Sequence, residues 1–166
     1  MTTDHTEPAQ PVDEAQPADR ADQDVVVNHV GLCVTDLERS RRFYEDVLGF
    51  AYDRELQPPD DPTAQLLSLE PPLNVTAVYL TRGSFVLELL HFDRPGGPPA
   101  PTRPFDEPGL THLSLSVEDL DGALALVSAR GGRVVSDAMG AYVVRDPDGQ
   151  LIELLPMAYH RRLTGT

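Results

Sequence analysis

The sequence predicts an α+β fold built from two copies of one β-α-β-β-β unit, and two internal repeats support this prediction. The strand pattern of residues 26–34 returns 83 residues later at residues 111–117, each time followed by a helix signal. The apolar strand of residues 86–90 returns 65 residues later at residues 151–155. A repeat of this kind is a stronger indicator of fold than any single local motif.

The first strand, at residues 26–34, is rich in β-branched residues and alternates in polarity. Val30 and Leu32 fall on one face, while His29 and Cys33 fall on the other. The apolar face suits packing under a helix. The opposite face places His29 among small residues, which leaves room beside the imidazole.

A helix signal follows each repeated strand. In the first copy Asp36 is the expected N-cap and Gly49 the expected stop. In the second copy a helix is expected at residues 119–130, ended by Gly131 and Gly132. Further strands are expected at residues 50–56, 73–81, 85–92, 133–136, 141–145 and 150–155, while residues 63–69 fit either a helical turn or a strand.

The units are separated by segments of different composition. The first module is expected at residues 25–92 and the second at residues 109–156, joined by a linker at 93–108 that contains six prolines. Residues 1–24 are acidic and almost free of large apolar side chains, so we predict a disordered tail. Residues 157–166 are predicted to be a polar C-terminal tail.

Composition narrows the functional classes. The formal net charge of −14 argues against nucleic acid or an anionic membrane as partner. The chain has one cysteine, Cys33, so it forms no intrachain disulfide, and a reducing compartment is expected. No apolar run approaches the ~20 residues that span a bilayer, and the N-terminus lacks a secretory pattern. We therefore predict a cytoplasmic protein.

Two carboxylates lie inside otherwise apolar strands, Glu88 in the first copy and Glu153 in the second. A carboxylate in such a strand is costly unless it is paired, protonated or bound to metal. With His29 and His112 they form a set of two nitrogens and two oxygens at equivalent positions of the repeat. That set suits a divalent transition metal (Ni, Co, Zn, Fe or Mn), and the alternative is a structural His–Glu pair in each copy.

These motifs resemble the vicinal oxygen chelate superfamily, which includes glyoxalase I, methylmalonyl-CoA epimerase, extradiol dioxygenases, fosfomycin-modifying transferases and bleomycin-binding proteins. The resemblance implies paired βαβββ modules whose curved, partly open mixed sheets form a barrel around a metal site. It also implies a homodimer that acts on a small-molecule substrate. The matching elements are residues 28–31, 36–49, 87–89, 111–112, 146–149 and 152–154.

The resemblance to glyoxalase I and the epimerase implies a metal-dependent lyase or isomerase that transfers a proton next to a carbonyl. His29, Glu88, His112 and Glu153 would then be the metal ligands. By the same resemblance Glu153 would be the catalytic base, and Glu88 a ligand and partner acid. The metal would act as a Lewis acid on the substrate oxygens.

The sequence is also compatible with two other functions. An Fe(II) extradiol dioxygenase would use His29, His112 and Glu153, which leaves Glu88 without a role. A non-catalytic small-molecule binder would need no metal. The chain also departs from the two enzymes it resembles, because Cys33 stands where glyoxalase I commonly has an arginine and residues 145–149 differ from the epimerase pattern. The site could close within one chain or across a dimer.

Overall fold

Two four-stranded mixed sheets and four helices form the fold in the computed structural model, which describes residues 25–94 and 104–165. The α+β class and the β-α-β-β-β order of the modules are confirmed, and the first module has a short helix inserted between its second and third strands. The predicted tail at 1–24 and much of the predicted linker lie outside the described residues. The first module contains β1 (Val30–Cys33), α1 (Leu37–Leu48), β2 (Ala51–Leu56), α2 (Asp60–Leu67), β3 (Val75–Arg82) and β4 (Phe85–Phe92). The second contains β5 (His112–Val117), α3 (Leu120–Ala129), β6 (Arg133–Ala138), β7 (Ala141–Arg145) and β8 (Leu151–Pro156), and α4 (Met157–Thr164) follows.

The two sheets have the same topology. Their strand orders are β1-β4-β3-β2 and β5-β8-β7-β6, with the first pair parallel in each sheet and the other pairs antiparallel. The first strand is shorter than predicted, because its pairing begins where Val30 registers with Leu87. The preceding valines of the predicted strand are largely exposed. His29 therefore lies immediately before β1.

The edge strands β2 and β6 contain a bulge at equivalent positions. In β2 the register shifts between Tyr52, opposite Leu80, and Arg54, opposite Tyr79. In β6 it shifts between Val134 and Ser136. Because one extra residue reverses the side-chain alternation, Tyr52 faces the helix side of the sheet and Arg54 the other side.

One apolar core spans both modules. Helix α1 packs on the first sheet, α3 packs on the second, and the two helices pack on each other. The buried residues of α1 recur at helical spacing, which gives the helix one apolar face for this packing. Asp36 caps its start by accepting a hydrogen bond from the Arg39 backbone N–H. The core joins Phe43 of α1 to Val127 of α3 and Ile152 of β8, all fully buried.

Gly132 lies where the second module meets the first. A Cβ there would lie 2.6 Å from the backbone oxygen of Arg145 and 2.7 Å from Cε2 of Phe43. We expect Gly132→Ala to lower the free energy of unfolding by about 1–3 kcal/mol, since the backbone atom cannot move aside without shifting β7. Urea unfolding measures the effect, with Ser128→Ala on the exposed face of α3 as control. A loss no larger than that of the control would contradict the close packing.

In two segments the structure gives a helix where the sequence prediction was ambiguous or different. Residues 63–69, which fitted either a helical turn or a strand, fall mostly in α2, which begins at Asp60. The Asp60 carboxylate accepts hydrogen bonds from the backbone N–H groups of Leu73 and Asn74, each at 2.8 Å, and so ties α2 to the chain before β3. The C-terminal segment, predicted to be a polar tail, instead forms α4.

Helix α4 packs on β5 and β8. Pro156 precedes it with an extended backbone, and Gly165 ends it in the left-handed conformation. Arg161 of α4 pairs with Glu118 at 2.7 Å. No helix in the described part of the chain is both long enough and apolar enough to cross a membrane.

Candidate functional site

Each histidine predicted to be a metal ligand lies beside the predicted glutamate ligand of its own module. Nε2 of His29 lies 3.2 Å from Oε2 of Glu88, and Nε2 of His112 lies 4.0 Å from Oε2 of Glu153. Both pairs occupy the sheet face turned away from the shared core. In β4, for example, Leu87 on the opposite face is fully buried in that core.

The Glu88 carboxylate is held from two sides. The Tyr79 hydroxyl donates to Oε1 of Glu88 at 2.5 Å, while His29 lies against Oε2. The rings of His29 and Tyr79 pack edge to face, with centroids 5.7 Å apart. The hydrogen bond to Glu88, with a smaller contribution from burial, raises the pKa of Tyr79. Tyr79 therefore remains a hydrogen-bond donor at neutral pH.

The neighbour of Glu88 on β1 is Gly31. A Cβ at this position would lie 3.3 Å from Oε2 of Glu88, so a larger side chain would crowd the carboxylate. The equivalent residue of the second module is Ser114, which registers with Glu153. Its hydroxyl donates to Oε2 of Glu153 at 2.6 Å. The two carboxylates therefore have different immediate surroundings.

The glutamate of the second pair is more exposed than that of the first. The side chain of Glu153 is 32% exposed, compared with 11% for Glu88. Oγ1 of Thr111 lies 2.8 Å from Nδ1 of His112, and the Phe105 ring packs 5.1 Å from the imidazole. A cleft of about 330 Å³ adjoins His112 and is lined by Phe50, Arg82, Phe85 and residues 112–115.

The two His–Glu pairs do not meet within one chain. Among residues 25–94 and 104–165, no three histidine, cysteine or acidic side chains lie close enough together to hold one metal ion. The structure thus shows two half-sites: the first half-site is His29 with Glu88, and the second half-site is His112 with Glu153. Each offers one imidazole nitrogen and one carboxylate oxygen, which are ligands that divalent transition metals accept.

A partly buried polar network joins the two modules. The Tyr44 hydroxyl donates to Asp146 at 2.8 Å, and both residues are at most 3% exposed. Asp148, two residues on, accepts hydrogen bonds from Ser40 and Arg39 of α1, at 3.0 and 2.8 Å. We call these five residues the inter-module network. It attaches α1 to the turn that leads into β8, the strand of Glu153.

Burial raises the pKa values of two groups of this network and of the Cys33 thiol. Burial raises the pKa of Asp146, although the hydrogen bond from Tyr44 partly offsets the rise. It also raises the pKa of Tyr44 well above its ordinary value. Burial, followed by the charge of Asp148, raises the pKa of Cys33. A protonated thiol is a poor nucleophile, so the environment of Cys33 does not favour covalent chemistry.

Sequence reasoning missed three side chains around the carboxylates: Tyr79, Arg54 and Ser114. Tyr79 could have been found by counting back across the hairpin, because the tight turn at residues 83–84 places it opposite Glu88. Ser114 lies two residues after His112 and so shares its face. Arg54 could not be placed from sequence, since its face depends on the bulge in β2.

Comparisons with known proteins place the chain in a family. The family model of the glyoxalase/bleomycin resistance protein/dioxygenase superfamily matches residues 26–154. The ethylmalonyl-CoA/methylmalonyl-CoA epimerase of Cereibacter sphaeroides is 31% identical over 142 residues, which cover 77% of this chain and 95% of that protein.

Solved structures agree with the sequence comparisons. A glyoxalase family protein from Bacillus cereus superposes with a TM-score of 0.70 at 19% identity, covering 81% of this chain and 95% of that one. The trypanothione-dependent glyoxalase I of Leishmania major superposes with a TM-score of 0.59 at 26% identity, covering 82% and 90%. The chain therefore belongs to the glyoxalase/bleomycin resistance protein/dioxygenase superfamily.

Proposed function

We propose that this protein is a metal-dependent enzyme that moves a proton at the carbon next to a carbonyl group of a small molecule. The observation that supports the proposal most strongly is the pair of His–Glu half-sites at equivalent positions of an internal repeat. Both lie on sheet faces turned away from the core, where a substrate can reach them. Enzymatic relatives, among them an epimerase and a glyoxalase I, agree with this class of reaction.

We further propose that a homodimer completes the site. Each chain presents half of the predicted ligand set in two separate places. In a symmetric dimer, the first half-site of one chain can face the second half-site of its partner, which produces two complete sites. Both half-sites remain partly exposed in the single chain, as this arrangement requires.

His29, Glu88, His112 and Glu153 would hold the metal in such a site. When bound, it would supply Lewis-acid stabilisation of the oxygens that become negative as the carbon loses its proton. The donor set of two imidazoles and two carboxylates fits a divalent transition metal and does not select among Ni, Co, Zn, Fe and Mn.

The carboxylates would have different roles. Glu88 is held by Tyr79 and His29 and is nearly buried, so it suits a fixed ligand. Glu153 is more exposed, and its distance from His112 is longer. A base must reach the substrate proton, and the greater freedom of Glu153 suits that role. We therefore assign the base to Glu153.

The relatives supply two candidate substrate classes. The Cereibacter protein is an ethylmalonyl-CoA/methylmalonyl-CoA epimerase, so acidic acyl thioesters are the first candidates for this chain. The resemblance to glyoxalase I makes adducts of a thiol with a carbonyl compound, such as hemithioacetals, the second candidates. In both, one carbon-bound hydrogen lies beside an oxygen that can bind a metal.

Metal analysis combined with proton exchange tests the proposal. We expect about one transition-metal ion per composite site in purified protein or after reconstitution. In deuterium oxide, NMR should then show loss of the α-proton signal of a substituted malonyl thioester or a hemithioacetal. Absence of metal binding after reconstitution would contradict the proposal. Bound iron with oxygen uptake on catechols would instead favour the dioxygenase alternative.

Mixed dimers test whether the site is shared between chains. Differently tagged His29→Ala and His112→Ala chains, co-expressed and purified as a heterodimer, should show about half the wild-type rate, because one of the two sites is intact. Each variant homodimer should be inactive. The matched control pairs a wild-type chain with the double variant, which should be inactive because both shared sites are damaged. Activity in that control, with none in the first heterodimer, would show that each site closes within one chain.

A further inference from the structure

Arg54 lies next to the first half-site and stacks on one of its residues. Its guanidinium stacks over the Tyr79 ring, with Cζ 4.2 Å from the ring centroid. Tyr79 in turn donates to Glu88, the predicted ligand. The bulge in β2 turns Arg54 toward this face while Tyr52 points to the helix side. A positive charge is therefore held one aromatic ring away from the candidate metal site.

The second module has no counterpart of this arrangement. The residue equivalent to Arg54 is Ser136, and the residue equivalent to Tyr79 is Val143. Ser136 pairs with Val143, as Arg54 pairs with Tyr79. The fold therefore does not require the stacked pair at this position. Because the second module keeps the bulge and the carboxylate without the arginine and tyrosine, the pair is a feature of the first half-site alone.

The guanidinium is available to an incoming group. The Arg54 side chain is 55% exposed, and its ion-pair partner is Asp53, the adjacent bulge residue, whose side chain is 41% exposed. An exposed ion pair between neighbouring residues contributes little free energy and exchanges readily. Arginine also has five N–H donors, so stacking on Tyr79 and contact with Asp53 leave donors for a second anion.

The negative charge of the protein gives the Arg54 guanidinium a role in binding an anionic substrate. The chain carries a formal net charge of −14, and a divalent ion bound at the composite site would only balance the two carboxylates there. An anionic substrate would be repelled unless local positive charge offset this field. A planar guanidinium binds a carboxylate through two parallel hydrogen bonds, which also fixes the orientation of the bound molecule.

We propose that Arg54, stacked on Tyr79, binds a carboxylate of the substrate, so that the substrate is a carbonyl compound with a second, anionic group. This inference rests on the proposed function, because the carbonyl end must bind at the metal. It makes Arg54 a specificity-determining residue, and it distinguishes dicarboxylate-derived substrates from neutral ones of the same length.

Binding of matched chelators to the Co(II)-reconstituted protein tests the inference without turnover. The monohydroxamate of succinate and its carboxamide analogue differ only in the anionic end, and the corresponding glutarate pair lengthens the arm by one methylene. The visible absorption of Co(II) reports the binding of the hydroxamate group. We expect the acid of better-fitting length to bind the wild type at least about tenfold more tightly than its amide, because a single charge-assisted hydrogen bond already gives about tenfold.

Variants assign the discrimination to Arg54. In Arg54→Gln the acid and the amide should bind equally, with the amide as tight as in wild type. Arg54→Lys should retain part of the preference, and Asp53→Asn should increase it by removing the competing carboxylate. Arg42→Gln is the matched control, because Arg42 is an exposed arginine of α1 that pairs with Glu38. The control should keep the full tenfold preference.

The outcomes separate the two hypotheses. Equal binding of acid and amide by wild type, with a clear Co(II) response to both, would overturn the role of Arg54 and leave the proposed function intact. Equal weakening of both compounds in Arg54→Gln would show that Arg54 only positions Tyr79 and would also overturn the inference. A lack of any Co(II)-dependent response would contradict the proposed function itself, and the inference with it.

Discussion

The Glu153→Gln variant is expected to exchange the α-proton of the substrate about 10²- to 10⁴-fold more slowly than wild type, the usual contribution of a general base. The amide keeps the size of the side chain and can still accept the hydrogen bond from Ser114, so the fold should be unchanged. Metal content should fall less than in Glu88→Gln, since both histidines and the fixed ligand Glu88 remain. Solvent-exchange NMR measures the rate, and elemental analysis measures the metal.

Two further variants make this result specific. Glu88→Gln should mainly weaken metal binding, because Glu88 is assigned as a fixed ligand. Ser114→Ala should slow exchange much less than Glu153→Gln, because it removes one hydrogen bond from Glu153 and leaves the carboxylate in place. Full turnover by Glu153→Gln on a substrate that wild type converts would remove Glu153 from the mechanism.

The Asp146→Ala variant should be the most destabilised single substitution of the inter-module network, by about 3 kcal/mol or more. The carboxylate accepts from Tyr44 and from the backbone N–H groups of Asp148 and Gln150, at 2.8 to 3.0 Å. Its removal leaves a buried hydroxyl and two backbone donors without their acceptor, and each such group costs about 1–3 kcal/mol. Urea unfolding measures the loss.

Two comparisons show whether this loss comes from the inter-module network. Tyr44→Phe should cost less, about 1–3 kcal/mol, since it removes a single donor. The double variant should lose less than the sum of the two, because the residues act on one hydrogen bond. Additive losses would mean that the hydrogen bond from Tyr44 to Asp146 contributes nothing to stability.

The raised pKa of Asp146 gives this network a defined pH dependence. A carboxyl whose pKa is higher in the folded than in the unfolded protein binds more protons when folded, so its contribution to stability falls as pH rises through that interval. The stability of wild type relative to Asp146→Asn should therefore decline from the unfolded pKa upward and level off above the folded pKa. A relative stability that instead rose with pH would show the opposite shift.

The sequence was sufficient to predict the fold and the equivalent positions of the two histidines and two glutamates in the repeat. Both predictions follow from period-two patterns within single strands. It also predicted which face of the first strand is buried, and Leu32 is indeed in the core. It did not predict that the half-sites lie apart in one chain. That separation depends on how α1 and α3 pack, and this packing involves contacts such as Phe43 against Gly132 between distant segments.

The C-terminal helix was missed for a related reason. The helix Met157–Thr164 has only eight residues, none of them buried, and no side chain caps its start. Its packing against β5 and β8 and the pair of Arg161 with Glu118 are tertiary contacts. Arg54 is similar, because its position depends on one inserted residue in a strand whose sequence does not mark the insertion.

The bulges in β2 and β6 also bear on how the chain avoids aggregation. Each of these strands forms one edge of its sheet, and all of its residues are exposed. An uncovered edge strand can recruit the edge of another molecule through its free backbone groups. The extra residue in each strand breaks the even spacing that such pairing needs, and Asp53, Arg54 and Glu55 add charges at the first edge. The protein can thus keep two sheet faces open while its outer edges resist fibril-like stacking.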